Sequence, residues 1–183
     1  MKGSIFKHFE DFVTDNWGIE TYEEILSGLD LQTEGPFLGP GNYPDEDLLA
    51  IVGATIQKLG IPLPKALRVF GNYLFEKLAG DAPQFLEGTT DLKQFLLTVD
   101  QVIHVEVKKL FPEAYLPRLH YEDTGADALT VHYQSKRQFC QLFAGLVEGA
   151  AQRFGTPIAW DESACTHTGA EQCTFHFRFS EAA

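Results

Sequence analysis

The sequence is short of positive charge: 14 Lys and Arg stand against 26 Asp and Glu, a formal net charge of −12. Such a chain repels phosphate backbones. Its densest basic spots are only Lys108-Lys109 and Lys136-Arg137, so nucleic acid is excluded as a partner. Anionic membrane surfaces are disfavoured for the same reason. Long apolar runs are missing too. None spans a bilayer, and the N-terminal stretch MKGSIFKHFEDFV carries charges throughout, so neither a leader nor a membrane segment is expected. Cysteine is scarce. Cys140, Cys165 and Cys173 are odd in number and widely spaced, which argues against a disulfide scaffold and for a reducing, cytoplasmic setting. There are no repeats and no low-complexity linker.

Aromatic residues are abundant. Fifteen Phe, six Tyr and two Trp make up 13% of the chain, which suits a large apolar cavity or a heavily packed core. A length of 183 residues fits one domain, or two tightly packed subdomains. Ile5, Phe6, Phe9, Phe12 and Val13 recur at helical spacing, and Gly18 ends that helix. Residues 19–28 predict a short second helix. The Pro- and Gly-rich stretch 35–44 predicts a loop. Further helices are expected from Asp45 to Leu59, from Pro62 or Pro64 to Ala79, and from an Asp91 N-cap to just before Pro112. After Pro112 the period changes. Leu129, Val131, Tyr133 and Ser135 alternate with polar residues, a strand pattern. Residues 139–154 predict an amphipathic helix capped by Gly155. Residues 156–161 and 171–180 predict two more strands, the last with Cys173, Phe175, Phe177 and Phe179 on one face. Helices first, then strands with one helix, define an α+β fold.

Two segments carry chemistry. In the helix from residue 92, Leu92, Phe95, Leu96, Val99, Ile103, Val107 and Leu110 form one stripe. At ~100° per residue, His104 lies about 120° from its centre, beside Leu97 and Phe111. A neutral imidazole on such a second apolar patch takes a metal as partner, or else a backbone carbonyl or solvent. The second segment is Tyr133-x-Ser135-x-Arg137. In a strand these residues point one way, about 6.5 Å apart, and present donors to an elongated dianion. Arg binds carboxylate with two hydrogen bonds. A solvated polar strand end is the ordinary alternative.

Together these segments resemble the haem nitric-oxide/oxygen-binding family, H-NOX, over nearly the whole chain. The likeness runs from Met1-Lys2-Gly3 through Phe70-Gly71, Val102-Ile103-His104-Val105-Glu106-Val107, Pro112 and Tyr115-Leu116-Pro117 to Tyr133-x-Ser135-x-Arg137. The resemblance implies a non-covalent haem b, there being no C-x-x-C-H. The haem would lie between a distal helical subdomain, about residues 1–62, and a proximal one, about 63–183, carrying an antiparallel sheet and helices. His104 matches the iron's axial ligand. Tyr133, Ser135 and Arg137 match the propionate clamp. Pro117 matches a proline that bends the haem, and Ile5, Phe9, Leu74 and Leu142 match the pocket lining. Oxygen-binding members carry a tyrosine five residues after the motif arginine, where this chain has Leu142. The expected ligand is therefore NO, and also CO, with the neighbouring Tyr73 as the one nearby hydroxyl that a shift in register would bring into the pocket. The resemblance further implies a sensor, not an enzyme, that signals to a histidine kinase or a cyclic-dinucleotide enzyme. A haem peroxidase would need a distal acid–base pair, and His8, the one early histidine, is expected at the surface.

Three cysteine thiolates hold zinc when a fourth ligand is present. Bacterial members of the family carry a similar C-x-H-x-G-A-x-x-C segment, here Cys165 to Cys173, with a helix cysteine, here Cys140. Where some of them supply a histidine this chain has Glu162. Glu162 or His167 is the expected fourth ligand of a structural zinc. An oxygen-binding haem sensor and a haem-free, zinc-stapled interaction module are the rival readings.

Overall fold

The computed structural model describes residues 1–34 and 36–180. Its helices are α1 (Gly3–Trp17), α2 (Ile19–Ser27), α3 (Asp45–Leu59), α4 (Leu63–Asp81), α5 (Leu92–Thr98), α6 (His104–Leu110) and α7 (Cys140–Phe154). Four strands follow the helical half: β1 (Arg118–Gly125), β2 (Ala128–Gln134), β3 (Ile158–Ala164) and β4 (Cys173–Phe179). They form an antiparallel sheet in the order β1-β2-β4-β3. The α+β expectation holds. Local chemistry sets most boundaries. Gly18 (φ 89°) and Gly155 (φ 63°) close α1 and α7 where another residue would be strained. Asp91 accepts from the Gln94 amide at 2.7 Å and opens α5. No helix of the described residues is long and apolar enough to cross a membrane.

The buried apolar residues fall into two clusters. The first joins α1, α2 and α3 with Phe37 and, from α4, Phe70 and Leu74. The second joins the inner sheet face with α5, α7 and, from α4, Phe75. One helix therefore serves both cores. Helix α4 lies so close to α7 that a Cβ on Gly145 would collide with the Arg68 carbonyl, and one on Gly71 with the Leu142 carbonyl.

Three features differ from expectation. Strand β1 was not foreseen, because it turns only Leu119 and Tyr121 inward among eight residues and most of its length is exposed. The long helix predicted from Asp91 is interrupted by a π turn over Val99–Ile103. That wider turn rotates everything after it relative to a continuous α-helix. Leu92, Phe95 and Leu96 are buried as the stripe predicts, but Leu110, placed on the same stripe, is 70% exposed. The third is His8. Far from being at the surface, it is buried, and its Nε2 meets Asp81 Oδ2 at 2.8 Å.

Candidate functional site

His104 is the first residue of α6, directly after the π turn. Its ring is mostly buried, and Nδ1 lies 3.2 Å from Asp100 Oδ1. A carboxylate facing it only accepts, so Nδ1 carries the proton and Nε2 is left with its lone pair. Burial pulls the His104 pKa down, and Asp100 opposes that shift without cancelling it. The imidazole is therefore neutral at pH 7. Among the described residues none hydrogen-bonds Nε2. The side chain lines an open cleft of about 470 Å³ together with Leu116, Pro117 and Asp100. Pro117 and His104 therefore share one cleft. Asp100 was missed by sequence reasoning, although its place four residues before His104 puts the two on one helical face.

The Tyr133-x-Ser135-x-Arg137 motif is arranged differently from a single strand edge. Strand β2 ends at Gln134, and the chain turns at once, with Gln138 at φ 54°. Only Tyr133 is in the strand. It is buried, its ring 5.3 Å from Phe143, and burial pushes its hydroxyl pKa up to about 12, so it stays a donor. Ser135 Oγ accepts from the Arg137 amide at 3.2 Å. The Arg137 guanidinium crosses to the helical core. Nε and Nη2 donate to Asp45 at 2.6 and 2.9 Å, and Nη1 donates to the Tyr115 carbonyl at 2.7 Å. This pull explains why the motif leaves the strand. Asp45 in turn is held by Arg137 and by the Met1 amino group, which drop its pKa to about 2 despite partial burial. Asp45 and Tyr115 carried no sequence signal for this role, since Asp45 is 92 residues from Arg137. Three of the five guanidinium N–H groups are used, which leaves two for another acceptor.

The aliphatic residues lie on the helical side. Leu74 and Phe9 are buried in the first core, with Ile5 and Leu142 partly buried against it. The Tyr73 ring packs against the same core, 5.3 Å from Phe12. Its hydroxyl donates to Asp15 at 2.6 Å on the exposed side of α1.

The cysteines converge. One ligand atom each from Cys140, Cys165, Cys173 and Glu162 lies within 4.8 Å of all the others. The Cys140 and Cys173 sulfurs sit 3.9 and 3.8 Å from Cys165 Sγ. Burial raises the Cys140 thiol pKa, and the neighbouring thiols and Glu162 add to it. Glu162 Oε1 is buried without a hydrogen-bond partner. His167 stands apart: its Nε2 pairs with the Gln138 carbonyl at 2.9 Å. Of the two candidate fourth ligands, the structure brings only Glu162 to the sulfurs.

A neutral histidine backed by a carboxylate and turned to a cleft suits a protein that holds a metal-bearing cofactor. An arginine with spare donors, at the seam of two cores, suits the same class. The donor chemistry fits a haem with one imidazole ligand and two carboxylate arms. The comparisons agree. A family model described as haem-NO-binding matches residues 2–162. An H-NOX protein from Shewanella oneidensis, solved in its Fe(II)NO ligation state, superposes with a TM-score of 0.92 at 29% identity, covering 99% of this chain and 100% of that one. The Fe(II) unliganded H-NOX protein from K. algicida gives 0.91 at 26% identity, over 99% and 97% of the two chains. Soluble guanylate cyclase gcy-35 of Caenorhabditis elegans is 26% identical over 160 residues, which are 84% of this chain and 23% of that protein. The chain thus spans about a quarter of the length of that curated relative. The chain belongs to the haem-NO-binding family, the H-NOX family of haem-based gas sensors.

Proposed function

We propose that this chain senses nitric oxide at a ferrous b-type haem, with His104 as the axial ligand, and passes the signal to a separate protein. The observation that carries this reading is His104 itself. It is neutral, its proton is on the Asp100 side, and its side chain lines a cleft with Pro117. When bound, a haem would supply a ferrous iron able to take NO or CO. The protein does the rest. Arg137 offers two N–H groups, and Tyr133 and Ser135 their hydroxyls, to the propionates at the seam between about residues 1–62 and 63–183. Pro117, which lines the same cleft as His104, would contact the haem there. Ile5, Phe9, Leu74 and Leu142 present no hydrogen-bond donor to a bound gas. O₂ depends on such a donor far more than NO or CO does, so this lining selects against it. The Tyr73 hydroxyl, engaged by Asp15, supports NO over O₂. His8 is engaged by Asp81, which weighs against a peroxidase acid–base pair.

His104 couples to α6 directly, because release or capture of its ring shifts the helix that begins with it. The partner in this reading is a histidine kinase or a cyclic-dinucleotide enzyme. Away from the haem, Cys140, Cys165, Cys173 and Glu162 would hold a structural zinc that pins α7 to β3 and β4. The test is the visible spectrum of the anaerobically reduced protein, before and after NO. A ferrous five-coordinate spectrum, stable to brief air and shifted to the blue by NO, is expected. A stable oxy spectrum would overturn the NO assignment, and no haem absorption would overturn the whole reading.

A further inference from the structure

We infer that Asp100 is the positioning residue of His104: its carboxylate orients the imidazole and makes Nε2 a stronger ligand. This rests on the haem reading above. Asp100 lies inside the π turn, and its Oδ1 has two partners. One is His104 Nδ1 at 3.2 Å; the other is the Leu119 amide of β1, also at 3.2 Å. The carboxylate is therefore anchored to the sheet while it holds the ring, and the ring plane is set from outside its own helix. An anionic acceptor on one nitrogen draws the imidazole toward imidazolate and raises the electron donation of the other.

The consequence is a threshold. The stronger the iron–histidine bond, the more a gas must weaken it before His104 lets go. Asp100 sets how much of the NO-bound protein keeps its histidine, and it guards against release by gases that labilise the opposite bond less.

The test compares the holoprotein with its Asp100→Asn and Asp100→Glu variants. Resonance Raman reads the iron–histidine stretch in the ferrous state, and the Soret band of the NO complex reads the fraction that keeps the histidine. Asp100→Asn is expected to lower the stretching frequency and to shift the retained-to-released ratio about tenfold toward release. Asp100→Glu, which restores the charge, is expected to recover part of both. It serves alone if the Asn variant does not fold, with an intermediate frequency expected. A merely structural role would cost haem occupancy and leave the frequency in place. A normal Soret band with an unchanged frequency overturns the inference but leaves the haem reading standing. A wild-type protein without a Soret band overturns both.

Discussion

Among the described residues, His104 and the cysteine cluster are the two regions proposed as metal sites, and they are built in opposite ways. His104 brings one imidazole from a helix that follows a π turn directly, and its side chain lines a cleft. Cys140, Cys165, Cys173 and Glu162 bring four donors from α7, β3, a short turn and β4, packed into the sheet core. A lone donor beside open space suits a centre whose other positions must exchange ligands. A crowded, enclosed donor set suits a centre that only holds the chain together. On the proposed function, exchange belongs to the helix and permanence to the sheet.

The strongest way to break that comparison is to remove the lone donor. On the proposed role of the ring as a ligand and not a core anchor, His104→Gly is expected to abolish the five-coordinate ferrous spectrum while leaving the far-UV circular dichroism unchanged. Loss of fold instead would make His104 structural. The converse experiment is Cys173→Ser, which places a hydroxyl where the sulfur is wholly buried. It is expected to cost on the order of 3 kcal/mol in denaturant unfolding and to erase the sensitivity of Tm to a zinc chelator. A chelator with no effect on the wild-type Tm would remove zinc from the account.

A smaller effect belongs to the seam. The Asp45 pKa falls to about 2 in the folded state, so the stability it contributes is present above its unfolded value of ~3.9 and is lost as pH falls toward 2. Asp45→Asn should therefore lower stability by about 2 kcal/mol at pH 6, with the gap to wild type closing near pH 2. A gap independent of pH would mean that Arg137 does not engage Asp45 in solution. Smallest of all is Tyr73→Phe. Its hydroxyl faces Asp15, so stability should change by no more than about 0.5 kcal/mol, and the reaction of the ferrous protein with O₂ should not change. Altered O₂ behaviour would place that hydroxyl in the pocket after all.

Regular periods and local stop signals were legible in the sequence. Gly18, Gly155 and Asp91 ended or opened helices where expected, and Leu129, Val131, Phe175 and Phe177 took the inner sheet face. What escaped was of two kinds. The π turn is one wide turn inside an apolar run and changes no residue type, so Leu110 looked as buried as Leu96. The Arg137–Asp45 pair joins residues 92 apart, which no local pattern records. The motif around His104 and Arg137 named the candidate residues, but not the partners that hold them. Asp100 and Asp45 became visible only when the chain was folded.

Helix α4 has a mechanical meaning apart from any chemistry. Its 19 residues make a rod ~28 Å long, with Phe70 and Leu74 seated in one core and Phe75 in the other. Its face toward α7 packs backbone against backbone at Gly71 and Gly145, and Arg68 ties it further to Glu148 of α7. Pivoted at one end, a tilt of about 5° moves the other end by roughly 2 Å. Because Phe70, Leu74 and Phe75 lie within two turns of one another, a tilt of the rod bears on both cores at once.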